Sequence, residues 1–121
     1  MQDCVFCKII KKEIPAEIVY ETDDVISFRD IAPAAPIHYL IIPKKHVKNL
    51  SEAISVDDGL VDNVMLGVTK VADKLGVSGA YKAVTNNGEN AGQVVPHFHF
   101  HILAGWKDKA DARTGIFHDS K

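Results

Sequence analysis

The chain has 121 residues, 46% of them apolar and 25% charged, which suits one domain with a buried core and excludes two domains of usual size, disorder, collagen-like repeats and coiled coil. Fourteen basic against sixteen acidic side chains give a formal charge of -2, so no basic excess points to nucleic acid or to a membrane surface. Apolar runs such as Leu40 to Ile42 fall far below the ~18 residues of a membrane span, and Met1-Gln2-Asp3-Cys4 lacks the charged and apolar regions of a signal peptide, so a soluble, cytoplasmic protein is expected.

In chain order, Val5, Phe6, Ile9 and Ile10 recur at helical spacing within Cys4 to Lys12, and the Ile14-Pro15 step ends the pattern. This predicts a short amphipathic helix with Val5, Phe6 and Ile9 inward. Glu17 to Glu21 and Val25 to Arg29 are β-rich stretches on either side of Thr22-Asp23-Asp24, which has the composition of a hairpin turn. Two prolines make Ile31 to Pro36 a loop, and His38 to Ile42 reads as a buried strand that Pro43 closes.

A long helix is expected from an N-cap at Ser55, with an acid three residues on. Its apolar stripe is Leu60, Val61, Val64, Met65, Val68, Val71, Ala72 and Leu75, with Lys70 and Lys74 near its negative end and Gly76 beyond it. Ala80 to Thr85 and Phe98 to Leu103 are further strands around a polar loop, Asn86 to Gly92. Residues 106–121 read as an irregular tail whose Trp106 and Phe117 need packing partners. The order of helix, three strands, long helix and two strands predicts a single α+β domain over residues 1–121, its core about 4–105, built on a five-stranded antiparallel sheet.

The segment His97-Phe98-His99-Phe100-His101-Ile102-Leu103 carries the sharpest chemical signal. Alternate side chains of a strand share a face, so three imidazoles line one surface while Phe98, Phe100 and Ile102 turn to the core. His97 and His101 would stand roughly 13 Å apart at ~3.3 Å per residue, far enough for separate tasks. Such an array serves nucleophilic or acid–base chemistry, or a metal site that draws on two of the imidazoles, and the residues alone leave both open. The preceding loop, rich in amides and glycine, offers backbone N–H groups to surround an anion. Cys4 and Cys7 form a C-x-x-C pair, which in a reducing compartment is a metal half-site or a redox pair.

The His97 to Leu103 segment resembles the signature of the histidine triad family. Asp30-Ile31-Ala32-Pro33, Pro36-Ile37-His38, Ile42-Pro43-Lys44-Lys45-His46 and the glycine and Gln93 before the triad are similar to its branch of nucleoside phosphoramidate and adenylyl hydrolases. The resemblance runs from Cys4 to about Gly105 and implies a homodimer that hydrolyses purine nucleotides at the α-phosphate through a covalent nucleotidyl-histidine. It implies His99 as nucleophile, His101 as phosphate partner, and His38 and His97 as the accompanying catalytic histidines. Asp30 would accept from both ribose hydroxyls; Val5, Phe6, Ile9, Phe28 and Ile31 would form the slot for the base; Asn86 and Gln93 would stand near the phosphates. Two alternatives share these residues: dinucleoside polyphosphate hydrolysis or nucleotidyl transfer, and a nucleotide-binding regulatory module.

Bacterial proteins that this chain resembles bind zinc through a set matching Cys4, Cys7, His46 and His97. Four protein ligands fill a tetrahedral ion, so that zinc would be structural. The sequence departs from the family pattern at Val94, where many members carry a serine that assists the leaving group, and at Pro96.

Overall fold

A computed structural model describes residues 4–56 and 58–113. Its elements are α1 (Val5–Ile10), β1 (Ile18–Glu21), β2 (Val25–Arg29), β3 (Ile37–Pro43), α2 (Leu50–Val56), α3 (Asp58–Lys74), β4 (Tyr81–Val84), a 3-10 turn (Glu89–Ala91), β5 (Phe100–Ala104) and α4 (Lys109–Arg113). The five strands form one sheet in the order β1-β2-β3-β5-β4, with every neighbouring pair antiparallel. This is the α+β architecture expected from the sequence, with two helices more than expected.

Because side chains alternate across a strand, each strand feeds two cores. On one face Val25, Ile41, Phe98 and Ile102 pack against Leu60, Val64, Val68 and Val71 of α3. Burying each such α3 side chain is worth about 1.5–3 kcal/mol. The helix lies close: a Cβ at Gly67 would collide with the Ile41 side chain. On the opposite face Ile26, Phe28, Leu40 and Ile42 are covered by Phe6 and Ile9 of α1, with the Phe6 and Phe28 rings edge-on at 5.6 Å. This thinner layer carries the histidines and leaves room for a cleft.

α3 ends as the sequence predicts. Gly76 takes φ 72°, and Val77 N–H returns to the Ala72 carbonyl at 2.9 Å, a closure that needs a left-handed residue. Its start differs. Ser55 lies inside α2, where its hydroxyl donates to the Glu52 carbonyl. The overlooked signal was Asn49-Leu50-Ser51-Glu52: Asn49 Oδ1 accepts from Glu52 N–H at 3.0 Å, and the Glu52 carboxylate accepts from Lys48 N–H at 2.6 Å, which together cap the added helix α2. Two residues assigned to apolar stripes are exposed, Met65 on α3 and Val5 on α1. The tail forms the short helix α4, and the Lys82 ammonium lies 5.3 Å from the Trp106 ring centre. Phe117 lies outside the described residues.

The last strand begins two residues later than expected, at Phe100. Continued pairing with β3 would set Phe98 opposite Pro43, which has no N–H to give. Phe98 N–H donates instead to the Val47 carbonyl at 2.7 Å. Residues 97–99 are therefore tied to the segment after β3 while their side chains keep the alternation of the strand. Among the described residues no helix is long and apolar enough to cross a membrane.

Candidate active site

His99 and His101 line a cleft between α1 and the sheet with about 790 Å³ of empty space, part of it open to solvent. Its other lining residues include Val5, Phe6, Ile9, Phe28, Asp30 and Ile31, so all five members of the expected apolar slot meet the expected carboxylate there. The sequence reading missed Ile14, Pro15, Ala16, Leu40 and Val95, which also line it. Leu40 was findable, since it stands two residues from His38 on one strand and so shares its face.

Proton positions on the imidazoles follow from their partners. His99 Nδ1 lies 2.6 Å from the His97 carbonyl oxygen; a carbonyl only accepts, so Nδ1 carries the hydrogen and Nε2 the lone pair. The Thr85 hydroxyl donates to the His99 carbonyl at 2.7 Å and steadies the same residue. His38 Nδ1 accepts from Ala34 N–H at 2.9 Å, which puts the His38 proton on Nε2, 2.9 Å from His101 Nδ1. His101 then accepts at Nδ1 and holds its own proton on Nε2. The surrounding hydrogen bonds thus leave His99 with a lone pair on Nε2 and His101 with a proton on Nε2.

His97 turns to another task. Its Nε2 donates to the Pro43 carbonyl at 2.9 Å, which leaves the Nδ1 lone pair directed at Cys4 Sγ (3.4 Å), Cys7 Sγ (3.7 Å) and His46 Nδ1 (3.1 Å). Cys7 Sγ is also 3.2 Å from His46 Nδ1. Metal–ligand bonds of about 2.0–2.3 Å give a tetrahedron with edges of roughly 3.3–3.8 Å, close to these separations. Burial holds His97 down at about 4, against the opposing pull of the Pro43 carbonyl, and burial also lowers His46. Both imidazoles are neutral near pH 7, as ligands must be. Burial, then the hydrogen bond and charge of Cys4, push the Cys7 thiol up to about 11; a bound cation would relieve that penalty. Cys4, Cys7, His46 and His97 are thus a set able to hold a metal ion.

Asp30, His38 and His101 also bring their ligand atoms within 4.8 Å of one another. They fit a metal poorly, because the His38 nitrogen facing the other two carries a proton. This cluster is a hydrogen-bond network.

The loop before the triad differs from the expected anion cradle. The N–H groups of Ala91, Gly92 and Gln93 donate within the loop, to Gly88, Glu89 and Gly88 carbonyls, and Gly88 N–H donates to Gln93 Oε1. Gln93 Nε2 donates to the Lys48 and Val95 carbonyls at 2.7 and 3.0 Å. The Gln93 amide is a brace for the loop, and neither it nor Asn86 lines the cleft. Among the described residues Asn86 Nδ2 is a buried donor without a hydrogen-bond partner. Val94 is exposed and also stands outside the cleft lining.

Comparison with known proteins agrees with this geometry. The HIT domain family matches residues 11–108. An uncharacterized HIT-like protein of Synechococcus elongatus is 45% identical over 104 residues, covering 86% of this chain and 91% of that protein. A HIT family hydrolase from Clostridium thermocellum superposes with a TM-score of 0.84 at 42% identity, over 97% of each chain. A histidine triad nucleotide-binding protein from Candida albicans superposes with a TM-score of 0.77 at 36% identity, over 88% of this chain and 84% of that one.

Proposed function

The chain belongs to the HIT domain family, and on that premise we propose that it is a hydrolase cleaving purine nucleotides at the α-phosphate, with nucleoside phosphoramidates or acyl-adenylates as substrates. The base enters the apolar cleft between Phe6, Ile9, Phe28 and Ile31, the ribose hydroxyls donate to Asp30, and the α-phosphorus comes to His99. The His99 Nε2 lone pair forms an N–P bond as the P–N or P–O bond to the leaving group breaks in line, and a departing amine takes up a proton from solvent. His101 Nε2–H donates to a phosphoryl oxygen as charge gathers there. Water then attacks phosphorus and gives up a proton to solvent as the N–P bond breaks, and the nucleoside monophosphate leaves with His99 restored.

The 2.6 Å contact between His99 Nδ1 and the His97 carbonyl carries this reading, because it fixes the tautomer a nucleophile needs. Rapid quenching of a phosphoramidate reaction, followed by mass spectrometry of the peptide bearing His99, should reveal a nucleoside monophosphate adduct. Product accumulating with no adduct at any time would exclude the covalent route. Preferential cleavage of a dinucleoside polyphosphate would reassign the substrate class, and tight binding with no product from either would make the protein a binding module.

The metal we propose at Cys4, Cys7, His46 and His97 is a structural zinc. When bound it supplies cross-linking and no open coordination position. The four residues fasten the start of α1, the segment after β3 and the approach to β5 to one point. The same reading makes residues 1–121 one domain, acting as a homodimer in the cytoplasm without nucleic-acid or membrane partners; sedimentation of the purified chain tests the dimer.

A further inference from the structure

We propose that Thr85 is a positioning residue for the phosphoryl-transfer step: its hydroxyl, bound to the His99 carbonyl, holds the backbone from which the His99 imidazole is aimed into the cleft. The proposal rests on the nucleotide reading above and extends it by one residue. Thr85 is not among the residues that line the cleft, so it acts through His99 and not on the substrate.

His99 stands just before the last strand. Pairing with β3 runs up to Phe100, opposite Ile41, and pairing with β4 runs up to His101, opposite Val84. Residues 97–99 are held instead by separate bonds from two sides. From the β3 side, the Val47 carbonyl accepts from Phe98 N–H at 2.7 Å. From the β4 side, Thr85, the first residue after that strand, donates its hydroxyl to the His99 carbonyl at 2.7 Å. β5 lies between β3 and β4 in the sheet, so the two bonds clamp its approach laterally.

Packing alone does not call for threonine at this place. Valine has nearly the same shape and an equal preference for extended chain, and it avoids the cost of withdrawing a hydroxyl from water. What threonine adds is a donor at the point where the ladder with β4 has ended. The His99 ring is oriented within its own surroundings, by the His97 carbonyl 2.6 Å from Nδ1 and by the Phe6 and His101 rings, edge-on at 5.2 and 5.0 Å. The Thr85 bond fixes the main chain that carries the ring. Displacing a reacting atom by about 1 Å can cost ~100-fold in rate, so a fraction of that displacement registers in turnover. The proposed base and ribose contacts lie on α1, β2 and Asp30, away from Thr85, and the loss therefore falls on kcat and spares KM.

Thr85→Val removes the hydroxyl and sets a methyl group in its space, which keeps water from taking over the bond. With a phosphoramidate substrate, kcat should fall by about tenfold while KM changes by less than about threefold. Thr85→Ser restores the donor and should return kcat to within about threefold of wild type. On the protein without substrate, imidazole NMR should show the His99 Nδ1–H exchanging with water about tenfold faster in Thr85→Val than in wild type or Thr85→Ser. If the valine variant fails to fold, Thr85→Ala gives the same two readings. Wild-type kcat or wild-type Nδ1–H exchange in the variant lacking the hydroxyl, even with a lowered melting temperature, would make Thr85 a support of the fold alone and overturn the proposal. A serine variant as slow as the valine one would overturn it too. Wild-type protein that cleaves no nucleotide would instead defeat the nucleotide reading, and the exchange measurement would still decide whether Thr85 holds His99.

Discussion

His99 Nδ1 and the carbonyl oxygen of His97 lie 2.6 Å apart, so a residue two positions earlier holds the imidazole that lines the cleft. The contact arises because the β5 ladder starts only at Phe100, leaving the His97 peptide outside the strand pairing. The ring of the same residue joins the cysteine and histidine cluster through Nδ1. His97 therefore acts twice, by its backbone on the His99 imidazole and by its side chain in the cysteine and histidine cluster.

Replacement of the proposed nucleophile gives the first prediction. His99→Ala should lower kcat by about three orders of magnitude or more, while nucleotide affinity by calorimetry stays within about tenfold, since the proposed base and ribose contacts lie elsewhere in the cleft, on α1, β2 and Asp30. Turnover that remains near wild type would remove His99 from the reaction.

The metal set gives the second. Elemental analysis should find about one zinc per chain, and Cys4→Ser should lower the melting temperature by about 10 °C or more, because binding of a structural metal is part of the folding free energy. Chelation that stops turnover at unchanged melting temperature, with recovery on adding zinc, would instead make the metal catalytic.

The burial of His97 sets a pH dependence for the metal-free chain. Its imidazole stays neutral in the folded state down to about pH 4 and takes a proton near 6.5 in the unfolded state. Between those values the unfolded chain binds more protons, so stability falls with falling pH by up to about 3 kcal/mol, and this contribution is flat above 6.5. His46, also lowered by burial, adds in the same sense. Urea titrations across pH 4 to 7 in chelator should show a steeper loss for wild type than for His97→Gln; equal slopes would mean that His97 is not held neutral.

The sheet and the cleft were legible because both rest on period-two alternation: Ile41 and Leu40 go to opposite cores, as neighbours on a strand must. The five apolar slot residues and Asp30 met at one cleft as the family resemblance implied. What the sequence concealed was where polar groups spend their hydrogen bonds. Glycines and amides before the triad read as an anion cradle, yet Gly88 and Gln93 satisfy each other. Ser55 read as a cap, while Asn49, six residues earlier, had already capped a helix that contains it. These outcomes depend on partners brought near by folding, such as the Lys48 carbonyl for Gln93, 45 residues away in the chain.

That brace supports the last prediction. Gln93 ties the loop to itself through Gly88 N–H and to the chain near the metal set through the Lys48 carbonyl, and Asn87 Oδ1 adds a second tie by accepting Leu50 N–H at 2.9 Å. His46 lies two residues before Lys48, so the loop before the triad and the metal set share one anchor. Net hydrogen-bond contributions of about 0.5–1.5 kcal/mol each, discounted where solvent can substitute, make Gln93→Ala destabilising by about 1–2 kcal/mol. Since the amide lies outside the cleft lining, Gln93→Ala should lower kcat through a loosened loop while KM for nucleotide changes less than about threefold. Amide hydrogen exchange should then speed up over residues 88–93 in the variant. A large rise in KM with the loop's exchange unchanged would show that Gln93 contacts the substrate directly and that the brace does not govern the loop.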